Sequence, residues 1–183
     1  RLLRLSGRNL ASLSGAFEID FEAAPLVHAG IMAITGPTGA GKSTLLDAIC
    51  LALYDAVPRS AGAGRIDGQD IQITDGRRVM SHGAGESEAE IDFAGADGRR
   101  YRATWRGRRA RGKADGSIQA SSRLLVDIDS GNVIANQKKE VAAEIIRLIG
   151  LDFDQFRRAV LLAQGEFDAF LRAEPKLRAE LLE

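Results

Sequence analysis

An α/β fold is predicted for this 183-residue chain, on three observations. The unbroken apolar run Ile31-Met32-Ala33-Ile34-Thr35 has the character of a strand buried on both faces. A glycine-rich turn follows it, and from Lys42 onward Leu45, Leu46, Ile49, Cys50 and Leu53 recur at helical spacing. Most of the remaining chain alternates apolar and polar residues over short stretches punctuated by turn residues, the pattern of antiparallel hairpins. Composition agrees: 45% of residues are hydrophobic and 27% charged, enough apolar content to close a core. Lys and Arg number 25, as do Asp and Glu, so the net charge is near zero. That balance argues against indiscriminate nucleic-acid binding and leaves room for a local basic patch. One cysteine excludes a disulfide scaffold and a cysteine-cluster zinc site. No apolar run approaches the ~18 residues of a membrane span, and no signal peptide opens the chain. The expectation is a soluble, intracellular, single-domain chain with no membrane partner.

The elements follow in order. Residues 1–9 alternate and read as a half-buried strand; 12–15 supply turn chemistry. Phe17, Ile19 and Phe21 then alternate with Glu18, Asp20 and Glu22, a second strand with one polar face. Residues 25–30 read as loop, the apolar run as the buried strand, and the helix from Lys42 stops before Pro58. Residues 60–87 hold six glycines and read as a long loop with one strand at 71–74. Residues 88–93 and 100–105 form a hairpin around Gly95-Ala96-Asp97-Gly98, and 122–129 with 133–135 form another around Ser130-Gly131-Asn132. Residues 137–149 are helical, with Val141, Ile145, Leu148 and Ile149 on one face and Gly150 past the end. Residues 153–171 are apolar but interrupted at Gln164-Gly165. Pro175 stands where another helix begins, with a stripe of Leu177, Leu181 and Leu182 that fits either a coiled coil or an ordinary terminal helix.

Residues 36–43 read G-P-T-G-A-G-K-S, which matches G-x-x-x-x-G-K-[ST], the phosphate-binding loop of nucleoside triphosphatases. The preceding strand and following helix are the context this chemistry requires. A triphosphate is a polyanion, and a helix N-terminus offers free N–H groups and the positive end of the helix dipole. Gly36, Gly39 and Gly41, with Pro37, Thr38 and Ala40 between them, let the backbone turn its amides onto the phosphates. Lys42 reaches the β and γ phosphates, Ser43 places a hydroxyl on Mg²⁺, and Thr44 caps the α-phosphate side. The fold is thus that of a P-loop NTPase, with ATP and Mg²⁺ as cofactors and Lys42 as a catalytic candidate.

A self-sufficient P-loop enzyme also needs a carboxylate at the end of a second buried strand. The best candidate is Leu124-Leu125-Val126-Asp127, where the run is short and Ile128 stands in place of the usual Glu. With Asp127 as the metal carboxylate, the chain would be a self-contained small P-loop kinase. No ABC-type signature follows the loop; Leu5-Ser6-Gly7-Arg8 looks similar but precedes it in a strand.

Three stretches together resemble the SbcC family: R-L-S-G-R-N-L-A-S-L with F-E-I-D-F, then A-I-T-G-P-T-G-A-G-K-S-T-L-L-D-A-I-C-L-A-L-Y, and L-L-A-Q-G-E-F-D-A-F-L. These are ATPase subunits of the bacterial SbcC–SbcD nuclease, in the SMC-like branch of the ABC ATPases. The likeness is strongest at residues 8–21, 31–54 and 156–183, and weak at 60–86. It implies an ABC-ATPase-type head lobe, a mixed sheet around the P-loop helix plus an antiparallel β-subdomain. Residues 1–173 would be the N-terminal lobe and 174–183 the start of a coiled-coil helix. It implies that Gln164 is the Q-loop glutamine, contacting Mg²⁺ and the attacking water and so catalytic. It also implies four partners: the protein's own C-terminal head lobe, a second head in a homodimer, an SbcD-like nuclease, and double-stranded DNA. The setting would be cytoplasmic and nucleoid-associated. An ATP-gated clamp or recombination mediator of the RecF or RecN kind, with no nuclease, is the other reading. Relatives outside bacteria carry Arg where this chain has Ala11, so the adenine side stays open, with Arg8 and Asn9 candidates by position alone.

Residues 99–113 hold Arg99, Arg100, Arg102, Arg106, Arg108, Arg109, Arg111 and Lys113 and no acid. Two readings stand. Arg100, Arg102, Arg106, Arg108, Arg109 and Arg111 contact DNA phosphates, or the hairpin is solvated and its arginines pair with distant acids. Alternation puts Arg100, Arg102 and Arg106 on one face and Tyr101 and Ala103 toward the core. His28 and His82, in loops, have no neighbours that make a metal site. Cys50 reads as core, and Asp47 as solvent-facing or a supporting partner of the phosphate site.

Overall fold

The computed structural model describes residues 1–29, 32–58, 64–66, 69–71 and 75–159. Its main feature is a six-stranded sheet made of β1 (Leu2–Leu10), β2 (Leu13–Asp20), β5 (Glu86–Ala94), β6 (Arg100–Arg108), β7 (Ser122–Asp127) and β8 (Val133–Ala135), in the order β2-β1-β5-β6-β7-β8. Every neighbouring pair is antiparallel. β3 (Gly64–Ile66) and β4 (Gln69–Ile71) form a separate two-stranded ribbon. Residues 1–150 form one unit and 151–183 a second. In the second unit, α3 (Phe153–Ala159) starts on a reciprocal cap: the Gln155 N–H donates to Asp152 Oδ1 at 2.8 Å, and the Asp152 N–H donates to Gln155 Oε1 at 3.0 Å.

Alternation sorts the sheet into two faces. Leu3, Leu5, Ala89, Ile91, Phe93, Tyr101, Ala103, Trp105 and Leu125 are buried on the inner one. Across it lies α1 (Lys42–Tyr54), packed on β1, β5 and β6, while α2 (Lys138–Ile149) covers β7 and β8 with Val141, Ile145 and Leu148. Helix α1 is buried continuously from Asp47 to Leu53, and Gly76 of a 3-10 turn at Gly76–Val79 lies against its Leu51. A side chain at Gly76 would run into Leu51 and Trp105, so that position has to be bare.

Both hairpins of the β-subdomain and both helices form where the patterns place them, β5 and β6 extending past their predicted ends. Several expectations need correction. The run at 31–35 is not a buried strand: among its described residues none pairs in a ladder, and Met32 and Ile34 are 46% and 50% exposed. A doubly buried strand needs a neighbour on each side, and among the described residues none pairs with this run. The described sheet is accordingly antiparallel, not mixed. The first turn is tighter than residues 12–15: β2 begins at Leu13, and Asn9 and Ala11 take positive φ of 55° and 45° around a bulge. In the long loop the strand falls at 69–71, ahead of 71–74. Asp47 is 1% exposed and so faces the interior, not solvent. Cys50 is core as expected; burial, with the nearby charge of Asp47, pushes its thiol up to about 12. Gln164 and residues 174–183 lie outside the described residues.

Candidate nucleotide site

The loop at 36–41 is exposed as far as Ala40 and leads into α1, a helix whose N-terminus carries no side-chain cap. Gly41 is the residue before the first turn of α1, has φ 88° and makes no side-chain cap. A Cβ there would lie 2.5 Å from Leu13 Cδ2, so bulk is excluded by both conformation and space. Gly39, at φ 85°, turns the loop with nothing packed against it. The Ala40 N–H donates to Pro37 O at 3.2 Å and closes the turn. The first turn of α1 carries no acid, and Ser43 is exposed. Lys42 is half-buried, and its Nζ donates to Gly36 O and Pro37 O, both at 2.8 Å. The ammonium is therefore held back over the loop by two carbonyls. This donor set of unpaired helix-end amides, a lysine and a free hydroxyl suits a phosphate chain and is hostile to a cation without one. The residues present fit ATP in their chemistry, and the exposed Ser43 hydroxyl is an oxygen of the kind Mg²⁺ takes. Among the described residues no group of three His, Cys, Asp or Glu side chains is placed to hold a metal by itself. Thr44 is 2% exposed and lies on the inner side of the turn.

The wall beside the loop escaped sequence reasoning. It is the tip of the β1–β2 hairpin: Leu13 packs on Gly41, and Ser12 Oγ lies 3.3 Å from where a Gly41 Cβ would stand. Three clamps hold that tip. The Ala11 N–H donates to Val79 O at 2.6 Å, Ser81 Oγ donates to Ala11 O at 2.9 Å, and Leu10 bridges Met80. Asn9, expected near nucleotide, serves the turn. Its Nδ2 donates to Glu86 O and its Oδ1 accepts the Gly15 N–H, while its carbonyl accepts from the Ser81 N–H and Ser87 Oγ. Arg8 is half-exposed and reaches Glu86 at 3.4 Å. A positive-φ Asn ahead of the turn was the one legible signal.

Asp127 is far from this site. Strand register puts Leu2, Phe93, Tyr101 and Asp127 in one row and Arg8, Glu88, Arg106 and Ser122 in another, and the P-loop lies past the second. Five residues at about 3.3 Å each separate Ser122 from Asp127 along β7. Asp127 Oδ1 instead accepts the N–H groups of Asp129 and Ser130, which hold its pKa below the ordinary value. A small kinase using this carboxylate is not compatible with that placement.

The arginine-rich strand divides in two. Arg100 pairs with Glu22, Arg102 with Asp92 at 2.7 Å and Glu90 at 3.4 Å, and Arg106 with Glu88. Arg4 joins them, bonded to Glu18, Glu90 and Asp92. Burial works to raise the pKa of Asp92, but the guanidiniums of Arg102 and Arg4 outweigh it and hold the carboxyl below its usual range. The solvated-hairpin reading therefore describes these three. Arg108, the last residue of β6, is exposed, as are Arg111 and Lys113 beyond it, and Arg109 Nη1 donates to Gly116 O at 3.0 Å.

Together, the loop, the helix it opens and the sheet beneath define a P-loop nucleotide-binding α/β protein. The chain belongs to the AAA domain family, which matches residues 4–183. It is similar to the SbcC subunits of nuclease SbcCD from Rhodobacter capsulatus and Pseudomonas aeruginosa, 49% identical to each over the whole of this chain and 15% and 16% of theirs. It is also similar to the DNA double-strand break repair Rad50 ATPase of Methanopyrus kandleri, 32% identical over 98% of this chain and 18% of that one. The SbcC resemblance read from the motifs is borne out. The chain thus spans under a fifth of the length of these relatives.

Proposed function

We propose that this chain is the N-terminal, ATP-binding lobe of a DNA-repair ATPase. Joined to its own C-terminal head lobe and paired with a second head, it would hydrolyse ATP with Mg²⁺. The cycle would control an SbcD-type nuclease at DNA double-strand ends and hairpins, in the cytoplasm at the nucleoid. The observation that carries this is the exposed loop at the open end of α1, with Lys42 poised over it. The amides of Gly39 and of residues 41–43 grip the phosphates, the Lys42 ammonium leaves its two carbonyls for the β and γ oxygens, and the Ser43 hydroxyl holds the metal. Bound Mg²⁺ supplies charge neutralisation at the β and γ phosphates. Gln164 orients the attacking water. Arg8 lines the approach to the nucleotide; Asn9 acts behind it by fixing the hairpin tip.

Two observations support a lobe that needs completion. Apolar Met32 and Ile34 stand exposed beside the loop, and Asp127 is too remote to serve as the missing carboxylate. For DNA, the arginines that support contact are Arg108 and Arg111, exposed at the last residue of β6 and just past it, with Arg109 between them. Co-expression of the full-length protein with an SbcD-type nuclease tests the assembly. A stable complex whose nuclease activity depends on ATP is expected; ATP turnover with no nuclease association favours the clamp reading.

A further inference from the structure

The far end of the phosphate helix is fastened more firmly than a helix end requires. Helix α1 stops at Asp55, which sits in the left-handed region at φ 56° and ψ 30°, its N–H donating to Leu51 O at 3.0 Å. Glycine is the usual residue in that conformation, so an aspartate there is used for its side chain. That carboxylate is a hub. Oδ1 accepts the Trp105 indole N–H at 2.5 Å and the Ser121 hydroxyl at 2.9 Å; Oδ2 accepts Lys138 Nζ at 2.8 Å. Lys138 also donates to Ser121, and buried Arg123 donates to the Leu53 carbonyl in the last turn of α1. Trp105 is fully buried and is the one tryptophan of the chain. Lys138 is the first residue of α2, the wrong helix end for a cation, and its ammonium turns away to reach Asp55.

At the opposite end of α1, residues 32–40 are exposed, and among the described residues the atoms nearest to where a Gly41 side chain would stand belong to the β1–β2 hairpin tip. A 13-residue helix is a rod of about 20 Å, so a tilt of about 5° at its fastened end moves the phosphate-gripping amides by about 2 Å. Misplacements near 1 Å are enough to degrade a preorganised site by about two orders of magnitude.

We infer that Asp55 is a positioning residue for the nucleotide site, its contacts with Trp105, Ser121 and Lys138 setting the angle of α1 and tying it to α2. The inference rests on the nucleotide-binding reading above. The test titrates ATP with Mg²⁺ into the full-length protein by calorimetry, well below the unfolding transitions, for wild type, Asp55→Gly and Lys138→Met. Glycine suits the backbone of Asp55, so the first variant removes the hub without straining the chain. The expected result is binding weakened about tenfold or more in Asp55→Gly and about threefold in Lys138→Met. Saturating ATP should also shift Trp105 emission in the wild type, isolated by difference from Trp105→Phe. A purely structural knot would lower the melting temperature and leave affinity and emission unmoved. Affinities within about twofold of wild type in both variants would overturn the inference. Should Asp55→Gly fail to fold, unchanged affinity in Lys138→Met with unmoved Trp105 emission would do the same. Absence of ATP binding by the wild type would instead overturn the nucleotide reading itself.

Discussion

At Gly41 two separate demands meet in one residue: a left-handed backbone, and no side chain where Leu13 lies. Gly41→Ala is predicted to cost about 1–3 kcal/mol in stability and to weaken ATP binding, because the amides that follow must swing to relieve the clash. Chemical denaturation and calorimetry check the two effects separately. Asp92 makes a pH prediction. Its pKa is lower in the folded protein than the ordinary 3.8, so its pairs with Arg102 and Arg4 are fully stabilising above that value. That contribution disappears as pH falls through the lower folded value. Asp92→Asn should destabilise the protein at pH 7 by about 1–2 kcal/mol and flatten the acid limb of a stability-against-pH curve. Asn9 shows why a position in a motif does not fix a role. Its number places it near nucleotide, but both ends of its amide are held by Glu86 and Gly15, partners that only the folded hairpins bring to it.

Among the elements, β5–β6, β7–β8, α1 and α2 were legible because each carries its own periodicity and its own turn chemistry. What a single segment cannot carry is its neighbours. The run at 31–35 has the composition of a buried strand, yet pairing is a property of two strands, and the described residues supply no second. The arginines of β6 show the same limit. Alternation correctly put Arg100, Arg102 and Arg106 on one face, but the acids opposite them come from β5 and from Glu22, far away in sequence. The body of β6 and its end with the loop beyond should therefore behave differently toward DNA. Replacing Arg108, Arg109 and Arg111 with Gln is predicted to lower the slope of log affinity against log salt by about 2–3. Replacing Arg100, Arg102 and Arg106 should leave that slope unchanged and lower stability instead. Equal slopes for both triple variants would remove the loop from the DNA surface.

At the largest scale, the unit of residues 1–150 has one sealed sheet face and one exposed apolar edge among its described residues. The inner face of the sheet is sealed by α1 and α2, and the outer face is covered by paired charges. Beside the phosphate loop, however, Met32 and Ile34 stay in water, and no described helix is long and apolar enough to cross a membrane and hide them there. Under the proposed function, a second lobe docks on that edge and covers these side chains. Ile34→Asp should then change the stability of the isolated chain by no more than about 0.5 kcal/mol, as exposed substitutions do, while sharply lowering ATP turnover in the full-length protein. The phosphate loop itself was readable from eight residues because its chemistry is local. Its support by the hairpin tip and by Asp55 was not, since those contacts join residues more than 25 positions apart.

The most direct measurement is a titration of ATP and Mg²⁺ into the wild-type protein and Lys42→Ala. The wild type should bind, and loss of the ammonium should weaken binding by about 10- to 100-fold, the worth of a charge-assisted bond to phosphate, with the fold intact by circular dichroism. Equal affinity in the two proteins, or no binding by either, would contradict the assignment of residues 36–44 as a nucleotide cradle.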